Sequence, residues 1–178
     1  MKIALIVIAI VIVAVIAFLY YMGMFSKVEI KEEKKGPFTF AYVEHIGPYS
    51  GVGKPMMELD KKMREAGFDS KHGLGIYYGD PKKVEKDKLR SEVGSIITQE
   101  DMAKMDENQD KFNFKTLEEK DYLTAEFPIK NIMSYMFGPM KVYPVFNKYF
   151  EEKGMEAPSV GIEYYDMEGK KIIFMMER

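Results

Sequence analysis

The chain has 178 residues, and its 26 Lys and Arg residues against 28 Asp and Glu leave a formal net charge of −2 at pH 7. That balance provides no cationic surface for nucleic acid, so neither DNA nor RNA is an expected partner. Cysteine is absent, which excludes disulfides, thiolate metal sites and thiol catalysis. Beyond residue 22 the chain is long enough for one domain with its own core.

Residues 3–22 predict a transmembrane helix, because the stretch has no charged residue and its length of roughly 30 Å matches a hydrocarbon core. A cleaved signal peptide is the alternative, but its apolar region is shorter and ends at a small-x-small site, which the residues after Phe18 do not provide. Tyr20 and Tyr21 mark the downstream interface. The positive-inside bias places the domain in the cytoplasm, since four basic residues follow the span: Lys27, Lys31, Lys34 and Lys35.

The next elements form a strand-helix-strand-strand unit. Residues 23–36 alternate in charge and are predicted to be a charged stalk that could begin as a strand, before a domain over residues 37–178. Strands are predicted at 38–45, 74–78 and 89–97. Between the first two, a helix ends at Gly67, and its apolar face repeats at helical spacing through Val52, Met56, Leu59, Met63 and Ala66.

The same order returns in the second half, with strands at 122–129, 160–165 and 171–176 and a helix at 140–153. The sequence at Gly75-Ile76 aligns with Gly161-Ile162 at an offset of 86 residues. We therefore predict an α+β fold of duplicated βαββ units, with halves at about 37–97 and 110–178. These units would form an antiparallel sheet with two long helices on one face, preceded by the transmembrane helix, and the seam between the halves is the expected ligand cleft.

Three motifs resemble the GyrI-like (gyrase-inhibitor-like) small-molecule-binding domain family in order and spacing: Tyr42-x-x-x-x-Gly47-Pro48-Tyr49, then residues 75–81 (GIYYGDP), then residues 88–94 (KLRSEVG). The resemblance implies a pseudo-twofold pair of βαββ units around a cleft. In related domains fused to transcription regulators, that cleft holds apolar cations on aromatic rings around a glutamate in a Glu-x-Tyr pattern. Here Glu163-Tyr164-Tyr165 matches the pattern.

A span before such a domain resembles the membrane-anchored branch of that family, which includes a testis-expressed autophagy receptor of the endoplasmic reticulum. Because the chain stops at Arg178, immediately after the last predicted strand, the autophagy role is not carried over. Some stand-alone relatives are hydrolases of strained electrophiles that use a glutamate and an aromatic residue of the cleft. The DNA-binding domain of the regulators has no counterpart here.

Glu163 is the principal candidate site residue. Period-two alternation puts Glu163 and Tyr165 on one face of a strand, where a carboxylate beside tyrosine rings suits a cationic, partly apolar ligand. Tyr77 occupies the equivalent position in the first half. The further candidates are Tyr49, Met136 and Phe137. In the alternative interpretation Glu163 is an ordinary surface glutamate, and the others are core or surface residues.

Three functions stay open. The leading hypothesis is a membrane-tethered module that binds a cationic or amphipathic small molecule between the two halves. The second is a hydrolase in which Glu163 activates water and Tyr77 or Tyr165 acts as the acid. The third is a membrane adaptor that binds an unknown protein partner through its outer face. No phosphate loop, calcium loop or metal-ligand spacing is present, so no cofactor and no metal is expected.

Overall fold

Two βαββ units build one antiparallel sheet in the computed structural model, which describes residues 1–178. The first unit consists of β2 (Phe38–Ile46), α2 (Gly53–Glu65), β3 (Gly73–Tyr78) and β4 (Arg90–Ile96). The second consists of β6 (Lys120–Pro128), α3 (Ser134–Glu152), β7 (Val160–Asp166) and β8 (Lys171–Glu177). The remaining elements are α1 (Lys2–Tyr21), β1 (Lys31–Lys35) and β5 (Asn113–Leu117). The predicted duplicated α+β fold is thereby confirmed.

The two units join through β3 and β7 at the centre of the eight-stranded sheet, whose order is β1-β6-β8-β7-β3-β4-β2-β5. In this antiparallel pair Ile76 lies directly opposite Ile162. These residues are also 86 positions apart, which is the offset that relates the two halves in the sequence. The pseudo-twofold axis of the domain therefore passes between Ile76 and Ile162.

The edge strands are exchanged between the units. β1 precedes the first unit but pairs with β6 of the second, while β5 precedes the second unit and pairs with β2 of the first. The structure thus differs from the predicted stalk at 23–36, because residues 31–35 form an edge strand and Met24, Val28 and Ile30 pack on the core beneath α3. Both edge strands have only five residues, which conceals them in the sequence, and β1 consists of Lys and Glu alone, which suits an unpaired sheet edge.

Both long helices end in the same way. Gly67 after α2 and Gly154 after α3 have positive φ angles of +83° and +66°, a conformation that favours glycine. The Phe68 N–H donates to the Met63 carbonyl over 3.0 Å, and the Met155 N–H donates to the Phe150 carbonyl over 2.9 Å. This hydrogen-bond pattern satisfies carbonyls that a helix end leaves free.

α3 begins at Ser134, earlier than the predicted 140–153 helix. Pro139 and Pro144 lie inside it, and proline ordinarily marks a helix boundary because it lacks an N–H donor. The apolar residues from Met133 to Met140 therefore belong to the first turns of α3 rather than to a preceding loop.

Each helix covers its own half of the sheet. α2 packs on β2 and β4, and α3 packs on β6 and β8, so neither helix rests mainly on the central β3–β7 pair. Each helix buries apolar side chains, and each of these contributes about 1.5–3 kcal/mol of apolar transfer free energy. They are Leu59 and Met63 of α2 and Phe146 and Phe150 of α3. A separate cluster of buried apolar side chains, which includes Phe40, lies on the opposite face of the sheet. Neither helix therefore covers the strip of sheet surface over β3 and β7, and other side chains fill it.

α1 is a 20-residue helix whose length and composition suffice to cross a bilayer, and none of its residues is buried in the domain. A signal sequence at the same position would share these properties. Its last turns contact the domain, since Leu19 packs on the core beneath α3 and the next residue after the helix, Met22, is completely buried there.

We expect Gly94→Ala to destabilise the protein strongly, because a Cβ at this position would lie 1.8 Å from the Ala41 carbonyl oxygen of β2. A loss of about 3 kcal/mol in the free energy of unfolding is expected, at the upper end for overpacking. Gly53→Ala at the start of α2 is the control, since a Cβ there meets nothing within 4 Å. Chemical denaturation measures the free energy of unfolding of both variants. Equal changes in Gly94→Ala and Gly53→Ala would contradict this packing.

Candidate functional site

The central strip between the helices is lined by glycines and tyrosines. On the helix face of the β3–β7 pair, Gly75 lies opposite Glu163 and Gly161 lies opposite Tyr77. A Cβ on Gly75 would come within 2.8 Å of the Tyr77 ring, and a Cβ on Gly161 would lie 2.6 Å from the Tyr143 hydroxyl. The two glycines therefore provide the space in which the tyrosine rings lie flat against the sheet.

Glu163 is the centre of a hydrogen-bonded chain of phenols. Its side chain is buried, with the residue only 5% exposed. The Tyr143 hydroxyl donates to Oε1 over 3.0 Å, and the Tyr165 hydroxyl donates to Oε2 over 2.9 Å. The Tyr77 and Tyr165 hydroxyl oxygens are 2.6 Å apart. Because Tyr165 donates its proton to Glu163, Tyr77 must be the donor to Tyr165.

Two further tyrosines close the sides of the strip. The Tyr49 ring meets Tyr77 edge-on, with 5.0 Å between ring centroids, and the Tyr135 ring meets Tyr165 at 5.6 Å. The Tyr49 hydroxyl donates to the Tyr78 carbonyl over 2.7 Å, which fixes its ring. We call these five rings the tyrosine cluster: Tyr49, Tyr77, Tyr135, Tyr143 and Tyr165.

A methionine and a serine complete the surroundings. A Cβ on Gly73 would lie 2.5 Å from the Met56 methyl group, so α2 contributes a flexible thioether to the same strip. Ser91 lies opposite Tyr77 in the β3–β4 pair, and its buried hydroxyl has no hydrogen-bond partner. An unpartnered buried hydroxyl beside the tyrosine cluster adds one polar group that a ligand could engage.

Burial dominates the electrostatics of the site. It raises the pKa of Glu163 to about 7, although the hydrogen bonds from Tyr165 and Tyr143 act in the opposite direction. Burial and the charge of Glu163 together raise the pKa values of Tyr77, Tyr143 and Tyr165 well above 10.0. The phenols therefore remain neutral donors, and near neutral pH the carboxylate is partly ionised.

Glu163 differs from the other buried glutamate of the domain. Glu92, on the opposite face of the sheet, is 3% exposed and lies 2.7 Å from both the Lys115 Nζ and the Arg90 Nη2. Glu163 has no Lys, Arg or His within salt-bridge distance, and phenols are its only side-chain partners. The domain thus neutralises the buried Glu92 internally and leaves the buried Glu163 without a cation.

The structure brings together four of the six predicted site residues: Glu163, Tyr165, Tyr77 and Tyr49. The other two point elsewhere, since the Phe137 ring meets Phe18 of α1 and Met136 is half-exposed. Sequence reasoning missed Tyr143 and Tyr135. Their spacing of eight residues is typical of one helix stripe, but Tyr135 lay outside the predicted helix, so that signal was lost.

Residues 27–171 match the family described as the GyrI-like small molecule binding domain. The chain therefore belongs to the GyrI-like small-molecule-binding domain family. It is 29% identical over 153 residues to human testis-expressed protein 264, covering 80% of this chain and 46% of that protein. Its mouse homologue is 27% identical over 171 residues, covering 89% of this chain and 52% of that protein. The chain thus spans about half the length of these curated relatives.

Two solved structures share the fold. The crystal structure of the EcmrR C-terminal domain superposes with a TM-score of 0.58 at 10% identity, covering 84% of this chain and 96% of that chain. The cryo-EM structure of the EcmrR–DNA complex gives a TM-score of 0.56 at 10% identity, covering 98% of this chain and 67% of that chain. At this identity the likeness establishes the architecture alone.

The raised pKa of Glu163 makes stability depend on pH. Because the folded-state pKa of about 7 exceeds the ordinary value of 4.5, the protonated carboxyl stabilises the fold below pH 4.5, and this contribution is lost as pH rises through 7. The loss is about 3 kcal/mol. In Glu163→Gln this part of the pH dependence should disappear, which denaturant titrations from pH 4 to pH 8 would measure. Glu118→Gln, at an exposed position, is the matched control, and identical pH profiles for wild type and Glu163→Gln would contradict the assignment.

Proposed function

We propose that this protein is a membrane-tethered module that binds an apolar or amphipathic cation at Glu163, between the two βαββ halves. The observation that carries the proposal is a buried carboxylate whose side-chain partners are phenols and which has no cationic neighbour. An ionised carboxylate in such a site lacks the charge that would offset its desolvation. A ligand cation in contact with Glu163 would supply that charge.

The tyrosine cluster suits such a ligand for a second reason. A cation held over a tyrosine face gains about 0.5–2 kcal/mol per ring, and the rings also provide apolar contact area. Membership of a small-molecule-binding family supports a ligand of this size class. Since the unliganded site is filled by its own side chains, the ligand must displace flexible ones, and Met56 beside Gly73 is suited to move.

α1 serves as the membrane anchor in this proposal. Its apolar residues are exposed to the surroundings rather than buried, so outside a bilayer they would form an unusually large hydrophobic surface. Lys2 is the first residue of the helix and its only basic residue, whereas four lysines follow between residues 27 and 35. This asymmetry favours a cytoplasmic domain.

Binding should follow the charge of the ligand rather than its shape. Benzyltrimethylammonium should raise the melting temperature of the full chain in micelles of an uncharged detergent, whereas neopentylbenzene, its uncharged isostere, should not. Affinity for the cation should increase from pH 6 to pH 8 as Glu163 ionises. Glu163→Gln should weaken binding by roughly 10- to 100-fold, the value of a charged contact of about 1.5–3 kcal/mol.

Glu92→Gln is the matched control, because it removes the other buried glutamate on the opposite face of the sheet. This variant should lose stability but keep its affinity for benzyltrimethylammonium. Equal affinities of wild type and Glu163→Gln, or equal shifts from the cation and its isostere, would contradict a carboxylate-centred site.

A hydrolase is the second candidate, and the pKa of Glu163 favours it. A carboxylate with a pKa of about 7 can act as a general base at neutral pH, and the Tyr165 hydroxyl lies 2.9 Å away as a proton donor. Mass spectrometry after incubation with an electrophilic cyclopropanoid should then show hydrolysis by the wild type that is lost in Glu163→Gln. Absence of turnover by the wild type from pH 5 to pH 9 would rule out this candidate.

A further inference from the structure

The domain begins where α1 ends, without a flexible linker. Met22 follows the last residue of α1 and is completely buried beneath α3. The Asn131 Nδ2 donates to the Met22 sulfur over 3.3 Å, and the Phe18 ring lies 6.3 Å from the Phe137 ring. The end of α1 and the first turns of α3 are therefore packed together.

This packing determines where the start of α3 lies along the axis of α1. Phe18 lies only three residues before the end of α1, which is about 4.5 Å along the helix axis. Tyr20 and Tyr21, which follow Phe18 at the end of α1, are exposed and have the amphipathic character of residues at a membrane interface. If α1 crosses a bilayer, the turn of α3 that holds Phe137 lies at the level of the lipid headgroups.

That turn carries an exposed apolar surface, which we call the methionine patch: Ile132, Met133, Met136, Met140 and Met167. Ile132 is 80% exposed, Met140 61% and Met136 50%. Met133, Met136 and Met140 follow the spacing of one helix face. Met167 belongs to the same end of the domain, because its sulfur lies 3.5 Å from the Tyr135 hydroxyl of the same turn. No other part of the chain covers this surface.

We infer that the methionine patch is a lipid-contacting surface that docks the domain onto the bilayer beside α1. The occupant is the lipid interface, since the patch is continuous with the end of the proposed anchor. Lys130 supports this choice, because its Nζ lies 5.9 Å from the centre of the exposed Tyr21 ring, where a basic group can meet lipid phosphates. The inference rests on the proposed role of α1.

Docking would also orient the ligand site. Tyr135 lies in the turn of the methionine patch, and its ring packs on Tyr165 of the tyrosine cluster, 5.6 Å away. The patch thus borders the site that holds Glu163. An amphipathic cation that has partitioned into the headgroup region would reach this site from the lipid side rather than from bulk water.

Lipid contact can be measured on the full chain in phosphatidylcholine and phosphatidylglycerol vesicles. Because the chain has no cysteine, single-cysteine variants labelled with bimane report one position each. Met136→Cys tests the patch. Met155→Cys is the matched control, since Met155 is 43% exposed but follows the other end of α3, which lies about 24 Å from Met136 along the helix. Ile12→Cys, in the middle of α1, tests the anchor.

A lipid with a nitroxide near its headgroup should quench the label at 136 at least about threefold more than the label at 155, as expected for a residue at the interface. A nitroxide deep in the acyl chain should quench the label at 12. Quenching at 12 with equal quenching at 136 and 155 would overturn the inference and leave the anchor intact. No quenching at 12 would overturn both. Disulfide formation between copies of the unlabelled Met136→Cys variant, without lipid quenching of the labelled variant, would show a contact between copies and overturn lipid docking.

Discussion

The antiparallel pairing of β3 with β7 is the constraint on which the site depends. This pair joins the two halves about their pseudo-twofold axis, and it lies between the two sheet regions that α2 and α3 cover. Gly75 and Gly161 line the strip, so that side chains from neighbouring positions can fill it. A carboxylate placed there is shielded from water by protein yet remains out of reach of surface lysines. The buried, unpaired Glu163 is thus a consequence of how the halves meet.

The exchange of the edge strands explains why the two βαββ units form a single domain. β1 and β5 each cross to the other unit, so separating the halves would break both edge pairings as well as the β3–β7 pair. The end of α1 packs on this domain through Met22, which is buried in the core beneath α3. A change in the first turns of α3, next to the end of α1, can therefore reach the tyrosine cluster through Tyr135 without any flexible linker.

Much of this architecture could be predicted because duplication doubles the signal. The offset of 86 residues relates Gly75-Ile76 to Gly161-Ile162, and the same order of strands and helix in both halves predicts the duplicated fold. β5 was not predicted because five residues are too few to establish a periodic pattern, and the predicted start of α3 is too late because Pro139 ordinarily ends a helix. Glu163 and Tyr165 could be placed on one face by period-two alternation. Tyr143 could not, because its contact with Glu163 depends on how α3 lies across the sheet.

We propose that the buried Glu163 carboxylate titrates near neutral pH and receives a cation. Carbon-13 NMR of the Glu163 carboxyl group in the full chain, assigned with Glu163→Gln, measures its ionisation directly. We expect a midpoint at about pH 7 in the absence of a cation. Saturation with benzyltrimethylammonium should move it at least about one unit lower, because the cation favours the ionised form. A midpoint near 4.5, or one that the bound cation leaves unchanged, would contradict a cation-binding carboxylate at this position.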